Sequence, residues 1–192
     1  AAPTLLPHVT DEGYLAPINF SAFEAKAKGG AAVVTIGETA VDTDYAVSHN
    51  FQINIWGEKA GVQLANMVDA LHHSGAIASI ELCHAGVWAH PAYIGGKNPI
   101  GPSAAVRPDG VQVDEMTEEQ MHQIADNFAE AAATCKRCGF DMAMIHAGHG
   151  WLLGAFLSPF DNRRKDKWGG SLENRARFPL MVLDKIREKV GP

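Results

Sequence analysis

The sequence predicts an α/β fold in which parallel strands alternate with helices that cover the sheet. Three observations predict it. Short β-branched or apolar runs are flanked by glycine, longer segments between them repeat their apolar residues at helical spacing, and one of those segments opens on a capping box. Such runs in alternation belong to a parallel sheet with covering helices.

Taken in order, Ala1–Leu5 reads as the remnant of a first strand and Ala31–Gly37 (AAVVTIG) as a second, with glycine on both sides. Residues 58–73 read as a helix whose apolar face is Val62, Ala65, Val68 and Leu71, and Ile77–Cys83 (IASIELC) as the third strand. In Thr117-Glu-Glu-Gln120, Thr117 and Gln120 satisfy free backbone N–H groups at a helix start. Met121, Ile124, Phe128, Ala131 and Ala132 form the stripe of that helix, which Gly139 stops before a buried strand, Phe140–Ile145. The last helix is capped by Ser171, buries Phe178, Met181, Val182 and Ile186, and ends at Gly191.

Between Cys83 and Thr117 lies a long Gly/Pro-rich connection, in which Pro108-Asp-Gly110 between Val106 and Val111-Gln-Val113 reads as a small hairpin with a type I turn. A connection of that length in a compact domain reads as a lid or a pocket wall. Four βα units are countable, and a complete (β/α)8 TIM barrel takes ~250 residues. The expectation is therefore one domain over residues 1–192, the first half of a barrel, with a loop and hairpin insertion at 84–116. No repeat, low-complexity segment or linker interrupts it. Strands one and four would then show unpaired edges, so self-association into a homo-oligomer is expected.

Composition narrows the partners. The 192 residues are 46% hydrophobic and 20% charged, ordinary for a water-soluble globular protein. A net charge of −6 without a basic cluster argues against nucleic acid and anionic membranes. No charged segment followed by an apolar run marks a signal peptide, and no run approaches the ~20 residues of a membrane helix. Three cysteines, Cys83, Cys135 and Cys138, fit free thiols in a reducing compartment, so a cytoplasmic location is expected. Cys135-Lys-Arg-Cys138 stands at a helix end without the second pair that a zinc or iron–sulfur site needs.

In a barrel of this kind chemistry sits at the C-terminal ends of the strands. The candidates there are Pro3 and Thr4 after the first strand, Gly37 after the second, Glu81 with His84 at the third, and His146 with His149 at the fourth. Gly37 gives the close backbone access that a flat aromatic cofactor needs. Glu81 can accept hydrogen bonds from ring N–H groups. His146 and His149 can both donate toward one substrate oxygen, which lowers a barrier if that oxygen gains negative charge. The same two histidines with Glu81 would also suit a metal-dependent barrel hydrolase or lyase, and a half-barrel without activity is the third reading. His8, His49, His72, His73 and His122 read as satisfied core histidines, and Asn162–Asp166 as a loop stapled by internal ion pairs.

The run His146-Ala-Gly-His149-Gly-Trp-Leu-Leu, then Phe156-Leu-Ser-Pro, Asn162-Arg-Arg, Asp166 and Trp168-Gly-Gly-Ser-Leu-Glu-Asn-Arg175, closely resembles the Old Yellow Enzyme-like NADH:flavin oxidoreductases. Within them it looks most like the branch of enoate, 2,4-dienoyl-CoA and bile-acid-inducible reductases. Glu81-Leu-Cys-His-Ala-Gly86, Glu115-Met-Thr117 and Ala2-Pro-Thr4 match further landmarks in order. The resemblance implies FMN bound without a covalent link inside a TIM barrel, NAD(P)H as electron donor, and an electron-poor alkene, such as an α,β-unsaturated carbonyl compound, as the small-molecule acceptor in a ping-pong cycle. It places Pro3, Thr4 and Gly37 along the flavin ring, Glu81 where many relatives carry a glutamine against the pyrimidine edge, and His146 with His149 on the substrate's carbonyl oxygen. Trp151 occupies the position of the family's tyrosine proton donor, so proton delivery falls to water or another residue; Tyr93 is the substitute weighed against a plain loop aromatic. The iron–sulfur segment that branch members carry follows the barrel and is not expected within these residues.

Overall fold

Two compact units divide the chain, one of Ala1–Ala40, Asn50–Leu82 and Ala131–Ile145, the other of Val41–His49, Cys83–Glu130 and His146–Pro192. A computed structural model describes residues 1–5 and 9–191; His8 lies outside the described residues.

The first unit is a parallel sheet with helices. Strands β1 (Thr4–Leu5), β2 (Val33–Ala40), β4 (Ile77–Cys83) and β8 (Met142–Ile145) lie in the order β1-β2-β4-β8, and β3 (Ile53–Asn54) pairs with the end of β2. Thr4 stands opposite Ile36, and Ser79 to Leu82 stand opposite Met142 to Ile145. Val34 and Ile36 bury completely on one face of β2, as do Ala78, Ile80 and Leu82 on β4. The side chains between them point to the other face.

Helix α1 (Pro17–Lys28) packs on β2 and on α2 (Glu58–His73). The sequence reading leaves α1 unplaced because one of its three buried residues is polar: Asn19 joins Phe23 and Ala27 at i, i+4, i+8. Asn19 earns that place by capping, its Oδ1 accepting from the Ala16 N–H at 2.7 Å. On α2 the buried face is Ala60, Leu64, Met67, Val68 and Leu71, whereas Val62 is 63% exposed. The expected face through Val62 is thus displaced; Leu64 and Met67 carry more apolar area and win the core.

Two strand readings are corrected. β2 runs on to Ala40, so Gly37 lies within it and not after it. β1 begins at Thr4, so Pro3 and Thr4 open that strand instead of following it. The fourth strand is not buried either: Asp141, Met142 and Ala143 are exposed, and among the described residues β8 pairs on one side only, with β4. An edge strand has neither the second neighbour nor the covering side chains that bury β4.

The second unit holds the long connection, the start of α3 (Glu118–Arg137), α4 (Leu152–Leu157) and α5 (Leu172–Val190). The capping box forms as expected: Thr117 N–H donates to Gln120 Oε1 at 2.9 Å and Gln120 N–H to Thr117 Oγ1 at 3.1 Å. The α3 stripe Met121, Ile124, Phe128, Ala131 and Ala132 is buried throughout. Ser171 caps α5 by accepting from Asn174 N–H at 3.3 Å; Phe178, Val182 and Ile186 are buried and Met181 partly so. α4 and α5 meet through Phe156 and Phe178, whose ring centroids are 4.6 Å apart. The hairpin of the connection forms from β6 (Ala105–Val106) and β7 (Gln112–Glu115), its turn closed by Gly110 N–H donating to Arg107 O at 2.9 Å, and β5 (Ile100–Gly101) lines up on β7.

Candidate active site

In the first unit, Pro3, Gly37 and Glu81 come together on one face of the sheet. A Cβ on Gly37 would stand 2.6 Å from Glu81 Oε2 and 3.1 Å from Pro3 Cβ, so only glycine leaves the carboxylate and the proline ring where they are. Glu81 is 7% exposed. An ionised carboxyl group beside bare backbone would suit a flat ring that brings N–H groups edge-on; the pyrimidine edge of a flavin offers such a group. Thr4 does not share that face. It is exposed, and its hydroxyl donates to Ala2 O at 3.2 Å.

In the second unit, His146 follows directly on the last residue of β8, where a barrel strand hands over to its loop. His149 takes a left-handed backbone (φ 56°) and Gly150 repeats it (φ 73°). Trp151 N–H then closes the turn on Gly148 O at 3.1 Å. Non-glycine residues avoid that region, so the turn holds His149 against a local preference. The result is convergence: His149 Nδ1 and His146 Nε2 are 3.4 Å apart, with ring centroids at 5.2 Å. The two nitrogens lie within hydrogen-bond reach of each other, the tautomers deciding which donates, and an oxygen that takes the place of this contact would be reached by both. His149 is exposed and His146 half-buried.

Trp151 stands edge-on to His146 at 5.3 Å and packs into a small core of Ala85, Ala89 and Ile94 with Tyr45 and Val47. Trp151 is thus packed against the His146 imidazole. Tyr93 lies against His90 at 5.3 Å, a loop pairing.

His84, expected beside Glu81 as a site residue, is instead buried in the second unit at 1% exposure. Its Nδ1 accepts from Gly86 N–H at 3.0 Å, and its Nε2 faces Asp42 Oδ2 at 3.4 Å, which sets the proton on Nε2. Asp42 Oδ1 also accepts from the N–H groups of Asp44, Tyr45 and Ala46 at 2.9, 2.8 and 3.1 Å, and Oδ2 from the Asn127 amide at 3.4 Å. Burial works to raise the Asp42 carboxyl, but the His84 imidazole, the Tyr45 N–H and the Asn127 amide outweigh it and hold the group well below the usual carboxylate range. Sequence reasoning missed Asp42. Its one signal was an acidic residue followed by Thr and Asp after a β-branched strand, a pattern that also describes any surface turn.

The other expectations divide. Arg164 pairs with Asp166 at 2.6 Å and donates to Pro102 O and Met116 O at 3.1 and 2.9 Å, so the 162–166 loop is stapled as expected. His72, His73 and His122 are partnered but exposed on helix surfaces, so the expectation of core positions fails; His72 Nε2 meets Asp141 Oδ2 at 2.8 Å. Burial pushes the Cys135 and Cys138 thiols up, which makes both poor sources of thiolate. Among the described residues no group of three or more His, Cys, Asp or Glu side chains gathers as the donors of a metal ion. No helix among them is long and apolar enough to cross a membrane.

The family model described as NADH:flavin oxidoreductase / NADH oxidase matches residues 3–192. An NADPH dehydrogenase of Halalkalibacterium halodurans is 35% identical over 92% of the chain and 51% of its own length. An NADH:acrylate oxidoreductase of Vibrio harveyi is 35% identical over 84% of the chain and 16% of its own length. Among solved structures, Old Yellow Enzyme from Pichia sp. AKU4542 superposes with a TM-score of 0.88 at 28% identity, over 95% of the chain and 50% of that protein. The chain therefore spans about half or less of the length of these relatives, as an N-terminal part of a TIM barrel.

Proposed function

This chain belongs to the NADH:flavin oxidoreductase / NADH oxidase family, and we propose that it forms the N-terminal half of an FMN-binding barrel domain, with 84–116 as an insertion. The enzyme so built moves hydride from NAD(P)H to the activated C=C bond of an α,β-unsaturated carbonyl compound. The observation that carries the reading is the convergence of His146 Nε2 and His149 Nδ1 to 3.4 Å at the end of a strand. Once an oxygen replaces the contact between the rings, and each ring carries its proton on the facing nitrogen, the two N–H groups suit a carbonyl oxygen that gains charge as hydride arrives at the conjugated carbon. Bound FMN supplies the two-electron carrier between nicotinamide and alkene.

Pro3, the Thr4 main chain and Gly37 seat the ring, and Glu81 accepts from its pyrimidine N–H. His146 and His149 hold the substrate oxygen, while Trp151 fixes the first of them. An indole N–H is not a useful acid, so the proton that completes reduction comes from water or from a group other than Trp151. A relative whose name specifies acrylate, itself a conjugated acid, supports the substrate class. A cytoplasmic location goes with the free thiols.

The test is made on the full-length protein after gentle purification. It is expected to be yellow, or to turn so with added FMN, and to bleach with NAD(P)H without oxygen. A colourless protein that ignores added FMN overturns the reading. Alanine at His146 or His149 is expected to weaken binding of phenol by roughly tenfold, the worth of about one good hydrogen bond; unchanged binding removes the assigned role.

A further inference from the structure

Trp88 is 45% exposed, and yet its backbone and one face of its ring are each in contact with a neighbouring segment. It ends the 3-10 turn Gly86–Trp88 of the long connection. Gly86 (φ 58°) is pressed so closely on α4 that a Cβ would stand 2.8 Å from Leu152 Cα, and a Cβ on Gly101 would stand 2.4 Å from Val87 Cγ1. Arg107 reaches over from the hairpin. Its Nη1 donates to Val87 O at 3.2 Å and to Ala89 O at 3.0 Å, the two carbonyls flanking Trp88. Its guanidinium covers the indole at 5.1 Å from the ring centroid, and its Nε is fixed by Asp109 at 3.1 Å. The indole Nε1 edge lies against the histidine-bearing turn, 3.4 Å from where a Cβ of Gly150 would be.

A single exposed aromatic needs no explanation, but a rigid one with one face under a cation and its edge beside a ligand-holding turn does. Such a side chain offers large flat contact area at little cost in conformational freedom. We infer that Trp88 is a specificity-determining residue: its free face stacks on the planar part of a carbonyl compound whose oxygen His146 and His149 hold. The site then selects flat, extended conjugated or aromatic substrates over compact ones. An electron-poor conjugated system over an electron-rich indole is the favourable pairing. The inference rests on the oxygen-holding reading of the two histidines.

The test uses the FMN-loaded full-length protein and two probes that share a hydroxyl but differ in planar area, phenol and 2-naphthol, titrated by calorimetry. In the unaltered protein 2-naphthol binds more tightly. Trp88→Ala is expected to weaken 2-naphthol by roughly tenfold and to leave phenol within about twofold. Trp88→Phe, which keeps a flat ring, restores most of the lost affinity. His146→Ala weakens both probes alike. A 2-naphthol affinity unmoved in Trp88→Ala but lost in His146→Ala overturns this inference alone, as does equal loss of both probes in Trp88→Ala. Failure of either probe to bind the unaltered protein overturns the oxygen-holding reading and this inference together.

Discussion

At the scale of single residues, His149 shows how backbone and chemistry oppose each other. Its left-handed φ of 56° is a conformation that L side chains pay to adopt, and the turn that imposes it also brings Nδ1 toward His146. His149→Gly is therefore expected to raise unfolding free energy by about 1 kcal/mol, read from denaturant titration, while phenol affinity falls. A variant that loses stability as well as affinity shows that the side chain, not the backbone, was the stabilising part. The pair itself was legible from sequence, because two histidines three apart after a strand are a local pattern. The buried position of His84 was not. Its partner Asp42 lies 42 residues earlier in the chain, and no local spacing announces so distant a contact.

At the scale of elements, amphipathic helices and glycine-flanked strands were readable wherever one apolar stripe or run dominates, as in α3 and β4. Strand ends were not readable: β2 continues three residues beyond Gly37 through Glu38, Thr39 and Ala40, which carry no run of apolar character. The segment after it, Val41–His49, is organised by one carboxylate, since Asp42 gathers three successive N–H groups. The folded carboxyl is depressed, so the unfolded chain takes up the proton first. Its stabilising contribution is complete above the ordinary value of 3.8 and is lost as pH falls from there toward the folded value. Asp42→Asn is expected to lose roughly 2 kcal/mol at neutral pH, as removal of a charged acceptor does. The gap from the unaltered protein should close below about pH 3.8, measured by urea unfolding across pH. A gap that persists in acid rules out the ionised carboxylate as the cause.

At the scale of the whole molecule, the exposed β8 edge and the net charge act against each other. Met142 is 52% exposed on a strand that has one partner among the described residues, a template for a second chain, whereas a net charge of −6 keeps chains apart. Salt screens the charge and leaves the edge. Sedimentation velocity on the 192-residue polypeptide is expected to show association that grows between low and physiological ionic strength, and Met142→Lys should suppress it. Salt-independent behaviour, or association untouched by the lysine, assigns the contact elsewhere. This exposure was foreseen in kind, as unpaired edges at the first and fourth strands. It was missed in detail, because apolar composition alone cannot tell an inner strand from an outer one.

The approach of Glu81 Oε2 to within 2.6 Å of the point where position 37 would carry a Cβ ties two sites that are 44 residues apart. A methyl group at 37 moves the carboxyl end of Glu81 from its present place, whereas a shorter residue at 81 leaves Gly37 untouched; the dependence runs one way, from the length of 81 to what 37 can carry.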